Sequence, residues 1–309
     1  MQLKHFFQLI RWKNLVLIAL MQFLIKYYFF APFNNYNSLS YSSFSLLVCA
    51  TIIISASGYI INDIIDIKVD LINKPKRILI QKHFTAANAK KMYFTLTFIG
   101  LMSGIGLSII IEKPIYIVFF IIIILLLFIY SKFLKGKLLV GNILVSLLLS
   151  FSILILLIFD FIQPENYLKW SSYLIIHKIV IVYAFCAFLL NLTREIIKDV
   201  EDVNGDYNQN LNTYPIVYGR ERAKKLALSI SVITVLFLLF VIFNQFNINS
   251  LALIYLLVFV LIPLLYFSIK LYDSKTKYEY SHLSKVLKII ILTGILSIPL
   301  ISNYFINAI

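Results

Sequence analysis

Nine stretches of this chain are apolar and long enough to cross a bilayer, and nothing else in the sequence limits the fold as strongly. They run approximately over 14–30, 44–61, 92–111, 115–131, 138–159, 172–192, 226–243, 251–269 and 286–306. A hydrocarbon core about 30 Å thick needs roughly 17–25 apolar residues per helix. Inside it every peptide group must find its partner within the segment, which an α-helix achieves alone. Only 14% of the 309 residues are charged and 61% are hydrophobic, where a soluble domain carries about 25% charge. The sequence therefore predicts an all-α fold, a polytopic membrane bundle of about nine transmembrane helices, with residues 1–309 as a single integral-membrane domain. The first segment follows Arg11 and Lys13 with no small-residue cleavage site behind it, so it reads as a retained helix. Lys26 interrupts that segment and is expected to snorkel to the nearer interface. Cys49 and Cys186 both lie in apolar segments and read as buried thiols, not as a disulfide or a zinc site.

The formal net charge of +14 suggests an acidic partner until the positions of the bases are considered. Of 28 Lys and Arg residues, 24 fall before helix one or in the loops and helix ends after helices two, four, six and eight. The opposite side holds only Lys113, Lys169 and Lys178. The positive-inside rule places the N-terminus and these rich loops in the cytoplasm, and an odd helix count places the C-terminus outside. The cell's inner membrane is the expected location. The excess charge is thus a topology signal suited to anionic lipid or phosphate at the inner surface, and no nucleic-acid partner is expected.

Two acidic loops stand on that cytoplasmic side. The stretch GYIINDIIDIKVDLINKPKR, residues 58–77, follows helix two, and NLTREIIKDVEDVNGDYNQN, residues 191–210, follows helix six. Asn62–Asp70 lies over Lys198–Asp206 without a gap: Asp63, Asp66 and Asp70 meet Asp199, Asp202 and Asp206 at an offset of 136 residues. The match points to two pseudo-repeated halves, each with one acidic loop. If helix two continues through 62–70, each residue turns about 100°. Asn62, Asp63, Asp66 and Asp70 then share one face. Glu195, Asp199, Asp202 and Asp206 share another, with Gly205 loosening the helix near its end.

Clustered carboxylates repel by about 4 kcal/mol at 4 Å and an effective dielectric near 20. A hard divalent cation relieves this, because Mg²⁺ takes one or two carboxylates together with waters and substrate phosphates. Lys74 and Arg77 follow the first loop, Arg194 and Lys198 surround the second, and Lys132 and Lys135 lie on the loop after helix four. Carboxylates for a metal and bases for phosphoryl oxygens together make a diphosphate site. One Asp-rich loop alone reads as a solvated cap; two with matching spacing on one side do not.

At these residues the chain resembles the UbiA-type intramembrane prenyltransferases. That family carries N-x-x-x-D-x-x-x-D after its second helix and D-x-x-x-D after its sixth, here Asn62, Asp66, Asp70 and Asp202, Asp206. Arg11 and Asn14 before helix one, and Tyr130, Lys132 and Asn142 around YSKFLK, resemble further family features. DLINKPKR and REIIKDVEDVNGD are most similar to the branch that includes digeranylgeranylglyceryl phosphate synthases, with Asn204-Gly205 where Glu-Gly is commoner.

The resemblance implies Mg²⁺ held by Asn62, Asp66, Asp70, Asp202 and Asp206. It implies catalytic roles for Asp66, Asp70, Asp202, Asp206 and Lys132, and places Arg77, Lys74, Lys132, Arg194 and Lys198 on the diphosphate of a prenyl donor. The prenyl group would pass to a prenylglycerol-phosphate lipid, or alternatively to the aromatic ring of a quinone precursor. The bilayer would act as substrate reservoir, and Tyr59 and Tyr130 are candidates to shield an allylic cation.

Two other classes fit less well. A cation-coupled transporter would carry its acids near the bilayer midplane on broken helices, whereas these sit at helix ends. A membrane transferase acting on nucleotide-activated lipids would carry D-G-x-x-A-R, which does not occur here. His5, His83, His177 and His282 are dispersed and form no set.

Overall fold

The computed structural model describes residues 2–32, 39–73, 78–160, 170–246 and 250–308. They are almost entirely helical. A short amphipathic helix α1 (Gln2–Leu9) leads into the first span α2 (Trp12–Phe30). Then follow α3 (Tyr41–Ile65), α4 (Ile67–Asn73), α5 (Ala86–Ile110) and α6 (Pro114–Leu134). The second half carries α7 (Val140–Phe159), α8 (Trp170–Asn208), α9 (Tyr214–Tyr218), α10 (Arg220–Gln245), α11 (Leu251–Asp273), α12 (Lys277–Leu296) and α13 (Ile298–Ala308). Among the described residues nine helices or helix pairs are long and apolar enough to span a membrane, at the expected places. Phe94, Phe98, Ile109, Phe240, Phe243, Leu251 and Ile269 are exposed on them. Apolar surface on that scale suits a lipid-facing exterior.

The chain divides into two compact units. The first comprises Met1–Leu20, Leu39–Val145 and Asn204–Asn212. Its core joins Leu9 and Ile10 to Ala56, Ile60, Phe84 and Tyr93, so α1 and the 78–85 turn are packed onto α3 and α5. The α3 and α5 backbones approach closely because Gly100 lacks a side chain: a Cβ there would stand 2.7 Å from Ile54 Cγ1. One turn on, a Cβ at Gly104 would stand 2.5 Å from the Phe120 ring of α6. This small-xxx-small spacing is how membrane helices gain dispersion contact where no hydrophobic effect drives them together.

The second unit comprises Met21–Ser38, Ser146–Val203 and Thr213–Ile309. Polar ties between helices mark its interior. Gln22 Nε2 donates to the Ser152 carbonyl at 2.9 Å, Asn191 Nδ2 to Ser146 Oγ at 3.2 Å, and Tyr255 Oη to the Thr293 carbonyl at 3.0 Å. The Tyr183 and Ser297 hydroxyls meet at 2.5 Å, and Ser302 Oγ donates to the Tyr28 carbonyl.

Two expectations about single residues are corrected. Lys26 does not snorkel: it is buried and its Nζ lies 2.6 Å from Asp160 Oδ1, itself fully buried at the end of α7. A buried carboxylate 134 residues away supplies what snorkelling would otherwise seek at the interface, and no local pattern announces it. The thiols are free; Cys49, expected to be buried, is exposed on α3, while Cys186 is half-buried. The expected continuous helix through 62–70 is broken at Asp66, while α8 runs unbroken through Gly205 to Asn208.

Removing one partner of a buried ion pair strands the other charge, at about 3–5 kcal/mol. Lys26→Met should therefore lower the unfolding temperature in detergent markedly, and adding Asp160→Leu should restore most of the loss. An unchanged unfolding temperature in the single variant would overturn this role for the pair.

Candidate functional site

The first acidic motif is set by a local break in the helix. The α3 helix stops at Ile65, and Asp66 takes φ −81° and ψ 1°. Its N–H still reaches the Asn62 carbonyl at 2.9 Å, and the Asp70 N–H reaches the Asp66 carbonyl at 2.9 Å. The four-residue rhythm survives the break, which keeps Asn62, Asp66 and Asp70 in step. Asn62 and Asp66 are buried and Asp70 is half-buried. Asn62 Nδ2 donates to Asp66 Oδ2 at 2.7 Å. The other end of that amide, Asn62 Oδ1, is buried and meets no hydrogen-bond donor among the described residues.

The cation on Asp66 is Lys135, whose Nζ pairs with Oδ2. Burial pulls this ammonium's pKa down, but the Asp66 carboxylate and then Tyr130 outweigh it, so it lies above the ordinary lysine value. A five-residue π-helical turn, Tyr130–Leu134, ends α6, and the Lys135 N–H closes it on the Tyr130 carbonyl at 2.9 Å. The wider turn brings residue 135 round to the face that ordinary helical spacing would give to 134. Lys132 points elsewhere: it is exposed, its Nζ 5.0 Å from the Phe133 ring centroid and 5.6 Å from that of Phe128. Sequence spacing missed Lys135 as the partner of Asp66 because a π turn has no plain signature in YSKFLK.

Beside this pair, Arg11 Nη2 donates to Asp63 Oδ1 at 2.7 Å, and its guanidinium carbon lies 4.8 Å from the Tyr59 ring centroid. Asn14 Nδ2 donates to the Tyr59 hydroxyl at 3.3 Å. The left-handed φ of 51° at Arg11 turns the chain between α1 and α2, putting that side chain on α3. Asp63 thus belongs to a tie with the N-terminal segment, and the Tyr59 face is already occupied by a cation.

The second motif rides on α8. Asp206 is buried, and its carbonyl accepts from the Gln209 and Leu211 N–H groups at 3.2 and 3.1 Å as the helix ends. Asp199 and Asp202 are half-buried. Arg194 Nη1 and Lys198 Nζ both donate to Glu195 Oε1, at 3.0 and 2.7 Å, which gathers two bases at one carboxylate. Arg194 Nε is buried and meets no acceptor among the described residues. Lys74 and Arg77 lie outside the described residues.

Among the described residues no three His, Cys, Asp or Glu side chains converge as a closed metal cage would require. Mg²⁺ seldom uses one: it keeps waters and takes one or two carboxylates with phosphate oxygens. The orphaned Asn62 Oδ1 beside the Asp66 carboxylate is a pair of hard oxygen donors of that kind. The residues present therefore fit such an ion.

Comparison with known proteins agrees with this chemistry. A model of the UbiA prenyltransferase family matches residues 19–300. The chain is 32% identical over 241 residues to the digeranylgeranylglyceryl phosphate synthase of Methanobrevibacter smithii, covering 76% of this chain and 80% of that protein. It is 29% identical over 305 residues to the synthase of the same name from Saccharolobus solfataricus, covering 96% of each. The solved structure of a UbiA homolog from Archaeoglobus fulgidus bound to DMAPP and Mg²⁺ superposes with a TM-score of 0.62. It is 15% identical, with 95% of this chain and 98% of that chain covered, a likeness of fold.

The Arg11–Asp63 pair is partly exposed, with side-chain exposures of 38% and 20%. A double-mutant cycle of Arg11→Ala and Asp63→Ala should give a coupling of about 0.5–1 kcal/mol in unfolding. Arg11→Ala should cost more than Asp63→Ala, since it also removes the contact with Tyr59. Equal costs would contradict that contact.

Proposed function

Because the chain belongs to the UbiA prenyltransferase family, we propose that it transfers a prenyl group from a prenyl diphosphate to a prenylglycerol-phosphate lipid, with Mg²⁺ as cofactor. The observation that carries the reading is the buried Asn62–Asp66 pair, with a free amide oxygen on one side and a lysine on the other. Similarity to synthases of digeranylgeranylglyceryl phosphate supports this choice of acceptor.

Asn62, Asp66, Asp70, Asp202 and Asp206 would hold the metal. Lys132, Lys135, Arg194 and Lys198, with Lys74 and Arg77, would bind diphosphate oxygens as charge-assisted donors. Bound there, Mg²⁺ supplies positive charge where negative charge grows on the departing diphosphate. The allylic C–O bond breaks, and the acceptor hydroxyl oxygen bonds to the freed carbon with loss of its proton. The prenyl tail would lie among the Ile, Leu and Phe side chains of the spans. With bases concentrated on one side, the N-terminus and both acidic loops face the cytoplasm, and the inner membrane supplies donor and acceptor.

The test uses purified protein in lipid with radiolabelled geranylgeranyl diphosphate, offered geranylgeranylglyceryl phosphate or an aromatic quinone precursor in separate reactions. The expected product forms with the first acceptor only and disappears with EDTA. Product with the aromatic acceptor alone would overturn the acceptor assignment. Asp66→Ala and Asp202→Ala should each lower turnover by at least about 10²-fold, as loss of transition-state electrostatics does, with unchanged expression. Near wild-type turnover in either would overturn its role.

A further inference from the structure

We infer that Lys135 keeps the first acidic motif closed to a divalent cation until a diphosphate arrives, so that cation and donor bind as a unit. The inference rests on the metal and diphosphate reading given above and assigns Lys135 a role within it. It starts from one atom. Asp66 Oδ2 accepts from both Asn62 Nδ2 and Lys135 Nζ. The Asp66 side chain is only 7% exposed, so its charge is one that burial would penalise heavily without a counterion. Lys135 is that counterion within the structure.

A cation seated on Asn62 Oδ1 and the Asp66 carboxylate would stand within a few ångströms of the Lys135 ammonium. Like charges at that separation, in a site largely shielded from water, oppose each other strongly. The cation therefore gains Asp66 only as Lys135 leaves. Lys135 can leave: its side chain is 34% exposed, and it lies where the α6 helix ends. On leaving it needs an anion, and Arg11, a second cation acting on Lys135 and paired with Asp63, offers none. A diphosphate oxygen is such an anion, and lysine binds phosphate as a flexible point charge.

Two exchanges are thus linked. The carboxylate trades an ammonium for a divalent cation, and the ammonium trades a carboxylate for a phosphate. Either alone leaves a charge uncompensated; both together leave none. Linked sites of this kind show reciprocal coupling, commonly about 5–150-fold in affinity. Lys132, on its phenyl rings, has no such link to Asp66.

The measurement is binding of Mn²⁺, followed by electron paramagnetic resonance, to the purified full-length protein in nanodiscs. It is made with and without a non-reactive geranylgeranyl thiolodiphosphate. Wild type should bind Mn²⁺ weakly alone and at least about tenfold more tightly with the analogue, a gain within the usual span of coupling. Lys135→Met should bind Mn²⁺ alone about tenfold more tightly than wild type and lose most of the gain from the analogue. Lys135→Arg should keep the wild-type pattern. Equal Mn²⁺ affinity with and without the analogue in wild type would overturn the proposal, and so would a Lys135→Met variant that binds Mn²⁺ no more tightly than wild type. If wild type binds Mn²⁺ no better than Asp66→Ala under both conditions, the metal reading itself falls. The first two failures leave that reading standing.

Discussion

A carboxylate buried at the end of a membrane helix must be given a positive charge, and the first acidic motif is arranged round that requirement. Asp66 meets it with the amide of Asn62 and the ammonium of Lys135, which arrive from different parts of the chain. Helix α3 stops where the carboxylate must turn, and the π turn at 130–134 aligns the lysine. Arg11 repeats the arrangement at Asp63, fixing the N-terminal segment to the same helix. A buried charge that needs distant partners in this way couples local backbone geometry to chemistry: shift the π turn by one residue and the counterion is lost.

The second unit meets the same requirement with a different result. Lys26 and Asp160 are buried against each other, while Gln22 next to them binds a backbone carbonyl. Burial of opposite charges thus ties distant segments together at both places. The difference lies in the series: Asp66 is flanked at four-residue spacing by Asn62 and Asp70, whereas Asp160 closes the end of α7.

Much of this was legible in the sequence, and the reason is physical. Spans announce themselves by length and hydropathy, because the bilayer sets both. The acidic motifs stand out because carboxylates are scarce in such a chain, and four-residue spacing survives a local break. What could not be read were the long-range pairings. Lys26 looked like a snorkelling residue since Asp160 is far away in sequence. Lys135 could not be foreseen as the partner of Asp66, since ordinary helical counting does not anticipate the π turn that brings it round. Cys49 looked buried because apolar neighbours do not say which face a residue takes. Period and composition are local properties, whereas ion pairs and faces depend on how helices meet.

Helix α8 is one continuous element of 39 residues, which at 1.5 Å per residue extends about 58 Å. That is nearly twice the roughly 30 Å of a hydrocarbon core. Asp202 and Asp206 ride on its last turns, whereas Asp66 stands at a helix break and Asp70 just beyond it. The length left over after a crossing of about 30 Å is what lets carboxylates at 202 and 206 share a helix with an apolar span without entering hydrocarbon.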